Sequence, residues 1–359
     1  MNNSLYILIG TIAEFIKLLP VMIELDKRGL NYEIVSTGQN KIGDIDLLDE
    51  IKLKKIKYTL NTVPQRKTAF SLLIWWVKTF LFGLVKLKKI ATKNKVLIVH
   101  GDTISTLMGA LLGKILGFKI IHIESGLRSF SYLAPFPEEI NRVLVSKLSD
   151  VHFAPNSWAI NNLKNVRGLK KDTENNTSIE SLLLALNKKE GAIYKLPKEY
   201  FIFVLHRQEN LMDKKFVKDI INNVIAKSNK TKCVFILHGN TEHALKKQSL
   251  YKSLTNNKNI ILLERVPYFG FMKILRNAKF LITDGGSNQE EAFYLGLPTF
   301  IIREYTERIE GIGKNVVLGG KNMQALNEFF KNYKKFKKRP ISSVNAPSKI
   351  IVDYLASSQ

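Results

Sequence analysis

Short apolar runs alternate with longer amphipathic runs along almost the whole chain. Five apolar runs in the first half are rich in β-branched residues and lead into glycine or polar residues, at 5–11, 32–38, 95–102, 119–126 and 150–156. Such runs are typical of strands in a parallel sheet that helices cover on both faces. Between the first two runs, "FIKLLPVMIELDKRG" has helical periodicity and ends in glycine. The pattern predicts a doubly wound α/β domain.

The second half repeats this alternation. Its apolar runs lie at 200–207, 233–240, 259–266, 279–286 and 298–304, with helical segments between them. Two βαβ series predict two doubly wound, Rossmann-like domains that face each other across a cleft. Strand signals lapse in the polar stretch 165–178, so we expect an N-terminal domain over 1–168 and a C-terminal domain over 169–345. Residues 346–359 predict a final helix that packs back on the N-terminal domain.

The charge of the chain is strongly basic. The 359 residues include 55 Lys and Arg against 31 Asp and Glu, a formal net charge of +24. An anionic polymer, an anionic membrane surface and a generally lysine-rich surface are three interpretations of this excess. The lysines are spread along the chain, and no zinc-ligand spacing, aromatic RNA-binding motif or arginine-rich arm accompanies them. No nucleic-acid partner is therefore expected.

Two features of the sequence predict a cytoplasmic setting. The start, "MNNSLYILIGT", has neither the cationic segment nor the cleavage site of a signal peptide. The only cysteine, Cys233, lies in the apolar run "KCVFIL", which predicts a buried strand residue rather than a reactive thiol. A single cysteine rules out an intrachain disulfide and suits a reducing compartment.

Acidic residues follow neighbouring predicted strands of the first half. Asp102 comes after one strand, in "VHGDT", and Glu124 after the next, in "HIESG". "PFPEEINR" follows, with Glu138 and Arg142 near the start of a helix whose first position suits Pro137. Ligands of open α/β sheets bind beyond the carboxyl ends of the strands, and crowded carboxylates there suit general acid–base chemistry. The alternative is a set of surface caps and ion pairs.

The stretch "TDGGSNQEE" (283–291) follows the apolar run "KFLI" in the second half. Backbone N–H groups of Gly285, Gly286 and Ser287, at the start of a helix, predict a site for an anion such as phosphate. Glu291, one turn further on, could accept hydrogen bonds from sugar hydroxyls. The alternative is a helix N-terminus whose acidic residues simply suit its dipole.

The histidines divide into two groups. His206, after a strand in "VLHRQEN", is a candidate acid, base or phosphate partner. His238 is similarly placed in "ILHGN", where a structural role and a site-lining role stay open. Three histidines within strand runs predict core packing: His100, His122 and His152. The sequence has no zinc or iron spacing, Walker loop or dinucleotide fingerprint, so no metal or cofactor is expected.

Eight motifs together resemble one family. In order, they are "GTIAEFIKLLP", "TGQN", "HGDTISTL", "HIESGLRS", "FPEEINR", "HRQEN", "TDGGSNQEE" and "REYTER". This order and spacing, from residue 10 to about residue 310, resembles the UDP-N-acetylglucosamine 2-epimerase family of the non-hydrolysing type. The resemblance implies the two-domain GT-B fold, with a UDP-sugar bound in the cleft, and members that are often homodimers.

The resemblance also implies a reaction, the interconversion of UDP-N-acetylglucosamine and UDP-N-acetylmannosamine for surface-polysaccharide synthesis. UDP leaves C1 as a proton leaves C2, and the glycal is reprotonated on the other face while UDP adds back. Four residues match the family's catalytic groups by motif position: Asp102, Glu124, Glu138 and His206. The expected substrate-binding residues are Lys17 and Arg142, Phe271 near uracil, Gly285, Gly286 and Ser287 at the phosphates, Glu291 at the ribose and Arg308 at the diphosphate.

Several positions depart from the family's pattern. The usual "GTRPE" is "GTIAE" here, with Ile12 in place of an arginine, and the glycine motif reads "DGGS" instead of "DSGG". "TGQN" ends in Asn40 and "HRQE" contains Gln208, where the family has other residues. Losing an arginine from a diphosphate could cost about 1.5–3 kcal/mol. An alternative function is therefore a membrane-associated GT-B glycosyltransferase that uses a UDP-sugar and a lipid-linked acceptor.

The segment "FSLLIWWVKTFLFGLVKLKK" (70–89) is more apolar than an outer helix of such a domain needs to be. Lys78 interrupts it, so its apolar span is expected to fall short of the roughly 20 residues that cross a bilayer. It could lie in the interface of an anionic membrane, with its aromatic residues buried and Lys86, Lys88 and Lys89 at the headgroups. A core helix or a dimer-interface helix is the alternative.

Overall fold

The computed structural model describes residues 4–41, 53–63, 69–90, 95–132, 136–188, 194–264, 266–341 and 345–358. The chain divides into two units. Unit 1 comprises Met1–Ser181 together with Val344–Gln359, and unit 2 comprises Leu182–Ser343. Each unit has its own parallel sheet with helices between successive strands. The predicted α/β class is confirmed.

The described part of unit 1 contains a seven-stranded sheet of order β3-β2-β1-β4-β5-β6-β7. Its strands are β1 (Ser4–Ile9), β2 (Tyr32–Ser36), β3 (Tyr58–Thr59), β4 (Lys95–His100), β5 (Lys119–Ile123), β6 (Val151–Ala154) and β7 (Leu169–Asp172). Ile7 of β1 pairs with Ile34 on one side and with Ile98 on the other. The strand order reverses between β1 and β4, so the carboxyl ends of these two strands flank a switch point, where ligands of such sheets bind.

The helices of unit 1 connect these strands. They are α1 (Ile12–Lys27), α2 (Ala69–Ile90), α3 (Ile104–Leu116), α4 (Glu138–Leu148), α5 (Ser157–Asn162), the first part of α6 (Ser178–Asn187) and, near the end of the chain, α14 (Pro347–Ser357). Thr11 begins α1 with a reciprocal capping box, in which its hydroxyl accepts from the Glu14 N–H and its own N–H donates to the Glu14 carboxylate. Helix α14 packs against α1.

Unit 2 has the same construction. Its described residues form a six-stranded parallel sheet of order β10-β9-β8-β11-β12-β13. The strands are β8 (Tyr200–Val204), β9 (Lys232–Leu237), β10 (Ile260–Glu264), β11 (Leu281–Thr283), β12 (Thr299–Ile301) and β13 (Val316–Leu318). The helices after α6 are α7 (Gln208–Leu211), α8 (Lys214–Ser228), α9 (Gly239–Lys247), α10 (Tyr251–Thr255), α11 (Tyr268–Asn277), α12 (Gly286–Tyr294) and α13 (Met323–Asn332). Here the strand order reverses between β8 and β11.

All ten predicted strands are present, and the described residues contain three further strands that the sequence did not predict. These are β3, β7 and β13, which lie at edges of the two sheets. Strand β7 lies inside the polar stretch 165–178, where strand signals lapse, and its residues "LKKD" are half-buried or exposed. Strands β3 and β13 span only two and three residues, and runs this short give no strand signal.

The predictions for the buried histidines and the cysteine are confirmed. His100, His122, His152 and Cys233 are all buried within strands. The Nε2 atom of His122 lies 2.8 Å from the carbonyl oxygen of Gly101. Burial, reinforced by the nearby His152, lowers the pKa of His122 to about 3. These side chains therefore belong to the packing of the two sheets.

Helix α2 has one buried face and one exposed apolar face. Trp75 and Leu87 lie in the core of unit 1. Seven large apolar side chains point away from that core: Phe70, Leu73, Ile74, Val77, Leu81, Phe82 and Val85. The sequence predicted that the apolar span of this helix is too short to cross a membrane. That prediction was wrong, because Phe70–Ile90 is long and apolar enough to do so by length and composition. Its buried face nevertheless joins it to the sheet, so the interpretation as a core helix holds for that face alone.

Candidate functional site

Glu124 forms the centre of a buried polar cluster at the carboxyl end of β5. Its backbone has a φ of +63°, which turns the chain sharply after the strand. Lys17 of α1 reaches its Oε2 atom with Nζ at 2.6 Å, and both side chains are buried. The Nδ2 atom of Asn176 donates to the same oxygen. Sequence reasoning missed Asn176, because only the fold brings this distant amide to the strand end.

Asp102 follows β4 and is held by helix α4. Its Oδ2 atom lies 2.5 Å from Nη2 of Arg142, and its backbone carbonyl accepts a hydrogen bond of 2.9 Å from the side chain of Asn141. Asp102 is the more exposed partner, with a side chain that is 25% accessible to solvent against 5% for Arg142. The carboxylate is therefore fixed in place and still open to a ligand.

Helix α4 begins at Glu138. Pro137 was predicted to be the first helical residue, but it is the N-cap residue that precedes the helix. Glu138 is half-buried, whereas Glu139 is fully buried. Burial would raise the pKa of Glu139, but the Ser129 N–H and the guanidinium groups of Arg128 and Arg142 hold it below its usual value. The two adjacent acids thus have different surroundings, as expected if they have different roles.

A further acid, Glu14, lies near the same switch point and was missed as a site residue. Its carboxylate accepts hydrogen bonds from the N–H groups of Gly10 and Thr11, at 2.6 and 2.9 Å. It also accepts from the hydroxyl groups of Thr103 and Thr106, at 2.5 and 3.0 Å. Glu14 thereby joins the N-termini of α1 and α3 beside Asp102.

The cluster of unit 2 lies at the carboxyl ends of β8 and β11. Nδ1 of His206 is 2.9 Å from Oδ1 of the buried Asp284. Burial would raise the pKa of Asp284, but hydrogen bonds from His206, the Arg207 N–H and Asn210 lower it. The His206 ring stacks on that of His238, with centroids 4.9 Å apart. His238 therefore lines the same site.

The glycine turn beside His206 leaves no room for side chains. A Cβ atom on Gly286 would lie 2.7 Å from Oε1 of Glu307, and one on Gly285 would lie 3.2 Å from Cε1 of His206. Helix α12 begins at Gly286, with Ser287 half-buried in its first turn. The Gly285 N–H donates to the hydroxyl of Thr283, at 2.9 Å. Of the three N–H groups expected to bind an anion, this one therefore already has an acceptor within the protein.

Arg308 and Glu290 form a buried ion pair behind this turn, with Nη1 and Oε2 2.6 Å apart. Arg303 and Glu307 form a second, with Nη2 and Oε2 2.8 Å apart. A Cβ atom on Gly286 would lie within 3.6 Å of Nε of Arg308. The structure thus brings Arg308, His206 and the glycine turn together.

Glu291 and Phe271 occupy neighbouring helices of unit 2. Glu291, on α12, is buried and accepts a hydrogen bond of 3.1 Å from Nδ2 of Asn288. Phe271, on α11, is buried one turn after Tyr268. Burial and the negative charge of Glu291 raise the pKa of the Tyr268 hydroxyl. The sequence-predicted residues of unit 2 therefore lie on elements that border one sheet edge, as those of unit 1 do at its own sheet.

Solved structures with the same architecture cover the whole chain. The UDP-GlcNAc 2-epimerase of Methanocaldococcus jannaschii, in complex with UDP-GlcNAc and UDP, matches with a TM-score of 0.83, 30% identity and 99% of both chains covered. That of Neisseria meningitidis, bound to UDP-GlcNAc, matches with a TM-score of 0.86 and 26% identity over 99% of this chain and all of the other. The protein is a two-domain α/β protein of the GT-B architecture.

The sequence comparisons name the family. A model of the family described as UDP-N-acetylglucosamine 2-epimerase matches residues 23–350. The UDP-N-acetylglucosamine 2-epimerase of M. jannaschii is 31% identical, covering 97% of this chain and 98% of the relative. The chain belongs to the UDP-N-acetylglucosamine 2-epimerase family, as its motifs predicted. These matches favour the epimerase over the glycosyltransferase alternative.

Proposed function

We propose that this protein interconverts UDP-N-acetylglucosamine and UDP-N-acetylmannosamine. The observation that carries the proposal is the set of fixed acidic side chains at the switch point of unit 1. Asp102 and Glu124 each have a buried cationic partner, Arg142 and Lys17 respectively. Such side chains can exchange a proton with a substrate carbon without first being ordered. We infer the identity of the substrate, UDP-N-acetylglucosamine, from the family to which the chain belongs.

The proposed reaction is an elimination followed by a re-addition. A carboxylate of unit 1 takes the proton from C2, the C1–O bond to UDP breaks, and a C1=C2 double bond forms. A second acid returns a proton to the opposite face of C2 while UDP adds back to C1, so no redox cofactor is consumed. We assign these proton transfers to Asp102, Glu124 and Glu138, and we assign His206 to the departing phosphate.

The proposed nucleotide contacts lie in unit 2. The turn at Gly285, Gly286 and Ser287 holds the diphosphate at the start of α12, with Arg308 behind it. Glu291 accepts hydrogen bonds from the ribose, and Phe271 packs against uracil. Ile12 stands where the family has an arginine, and its side chain cannot bind an anion. The diphosphate is therefore bound by these residues of unit 2. Lys17 and Arg142 contact the substrate from unit 1.

Purified protein and UDP-N-acetylglucosamine test this proposal directly. The wild type should form UDP-N-acetylmannosamine until equilibrium is reached, as measured by chromatography of the two nucleotide sugars. Asp102→Asn should abolish turnover with an unchanged unfolding midpoint, because the amide keeps the size of the side chain but cannot accept the proton. Full activity in Asp102→Asn would exclude the assigned role.

We also propose that the protein acts in the cytoplasm, where the UDP-N-acetylmannosamine that it forms supplies surface-polysaccharide synthesis. We propose further that the exposed face of α2 packs against α2 of a second copy of the chain. The apolar side chains at 70, 73, 74, 77, 81 and 85 follow helical spacing and form one stripe about 22 Å long. Antiparallel pairing across a two-fold axis would separate the lysine-rich ends, 86–89, of the two helices. A homodimer therefore covers this apolar surface and keeps the two lysine-rich ends apart.

Light scattering after gel filtration tests the dimer. The wild type should have twice the chain mass of 40.9 kDa, and Leu81→Glu, in the stripe, should be monomeric. Leu169→Glu, which changes a comparably exposed leucine on β7, should remain dimeric. A monomeric wild type that floats with vesicles containing phosphatidylserine would show instead that the stripe faces an anionic membrane.

A further inference from the structure

Glu139 is a buried carboxylate that lies between two arginines. Its Oε1 atom is 2.5 Å from Nε of Arg128, and its Oε2 atom is 2.8 Å from Nη1 of Arg142. The N–H group of Ser129 donates to Oε2 at 2.9 Å. The Glu139 side chain is fully inaccessible to solvent, so it cannot touch the substrate itself. Its influence has to pass through its partners.

Arg142 connects Glu139 to the proposed catalytic acid. One arm of its guanidinium, Nη1, binds Glu139, and the other, Nη2, lies 2.5 Å from Oδ2 of Asp102. A guanidinium is planar and rigid, so fixing one arm also fixes the direction of the other. The two acids therefore share one cation, and the direction from which Arg142 holds Asp102 depends on Glu139.

We propose that Glu139 is a positioning residue that sets, through Arg142, the position and orientation of the Asp102 carboxylate. With Glu139 in place, Nη1 of Arg142 is held by its carboxylate, and Nη2 keeps the Asp102 carboxylate in one orientation. Without that carboxylate, the guanidinium could turn, and Asp102 would lose its fixed orientation for proton transfer. The inference rests on the proposed function, in which Asp102 transfers a proton.

Glu139→Gln tests the proposal while keeping the size of the side chain and an acceptor for the Ser129 N–H. We expect kcat to fall about 10- to 100-fold, with KM within about 3-fold of the wild type. Incorporation of deuterium at C2 in D2O should fall in proportion to kcat. Arg128→Gln is the matched control: it also removes an ion pair with Glu139 but is not the link to Asp102, so kcat should stay within about 2-fold.

A double-mutant cycle separates positioning from a general structural effect. If Glu139 acts through Arg142, Glu139→Gln should change kcat by less than about 2-fold in an Arg142→Ala background. A full additional loss in that background would overturn the inference, as would a wild-type kcat in Glu139→Gln. Failure of the wild type to epimerise UDP-N-acetylglucosamine would instead refute the proposed function.

If Glu139→Gln does not fold, Arg142→Lys carries the test. Lysine keeps the positive charge but lacks the two-armed group that joins both acids. The proposal predicts a loss of kcat of about 10- to 100-fold, together with a normal unfolding midpoint. A wild-type kcat in Arg142→Lys would contradict it.

Discussion

At the scale of single residues, Gly286 is required because the space where its Cβ would lie is filled. In Gly286→Ala the new atom would meet the Glu307 carboxylate at 2.7 Å. Either the Glu307 carboxylate, with its ion pair to Arg303, or the start of α12 would have to shift, and we expect the affinity for UDP, measured by calorimetry, to fall about 10-fold or more. Gly239→Ala is the control, since Gly239 also begins a helix after a strand and a Cβ there meets nothing within 4 Å. Equal affinity in Gly286→Ala and the wild type would contradict the proposed cradle.

His122 makes the stability of unit 1 depend on pH. Its pKa of about 3 in the folded protein is below the value of about 6.5 expected in the unfolded chain. Between these values the unfolded chain binds one more proton, so the free energy of unfolding falls as the pH is lowered from about 6.5 towards 3. The contribution is about 1.4 kcal/mol per pH unit.

Denaturant unfolding over this pH range tests that contribution. His122→Gln, whose side-chain amide can still donate to the Gly101 carbonyl, should have a shallower slope than the wild type. His243→Gln is the control, because His243 is exposed on α9. Parallel slopes for the wild type and His122→Gln would show that His122 is not buried in the neutral form.

At the scale of elements, the fold follows from sequence patterns wherever a strand is buried on both faces. The β-branched runs of β1, β4 and β8 predicted interior strands, and the polar residues after them predicted the site. The short edge strands β3, β7 and β13 were not predicted, because β3 and β13 span only two and three residues and β7 is mostly polar. Partnerships such as Lys17 with Glu124 depend on the packing of distant elements, which the spacing of motifs does not encode.

Glu14 shows how one side chain can join two elements. Glu14→Ala would leave the Gly10 and Thr11 N–H groups and the Thr103 and Thr106 hydroxyls without this acceptor. We expect the free energy of unfolding to fall by about 2–4 kcal/mol, because unsatisfied buried donors are costly. Denaturant titration measures the change.

The control for Glu14 is Glu328→Ala, which removes an exposed ion pair with Lys331. Its effect should stay within about 0.5 kcal/mol. If the two variants have similar stability, the joint between α1 and α3 does not contribute as proposed.

At the scale of the whole molecule, the chain leaves unit 1 within α6 and returns to it for α14. Ile351 of α14 is fully buried in unit 1. Ile351→Ala should lower the stability of unit 1 by about 2–4 kcal/mol. Because the proposed UDP contacts lie in unit 2, the affinity for UDP should stay within about 2-fold of the wild type.

Thermal unfolding and UDP titration together check this expectation. Lys349→Ala, an exposed position of the same helix, should change neither quantity. Ile351→Ala could instead lose affinity for UDP at a temperature where it remains folded. That result would mean that UDP binding depends on unit 1 as well as on the proposed contacts in unit 2.

The central claim is that this chain performs proton chemistry at C2 of a UDP-sugar. Proton NMR of the wild type with UDP-N-acetylglucosamine in D2O tests it most directly. The account predicts that UDP-N-acetylmannosamine appears and that both sugars acquire deuterium at C2. UDP binding with no deuterium at C2 and no second sugar would contradict it.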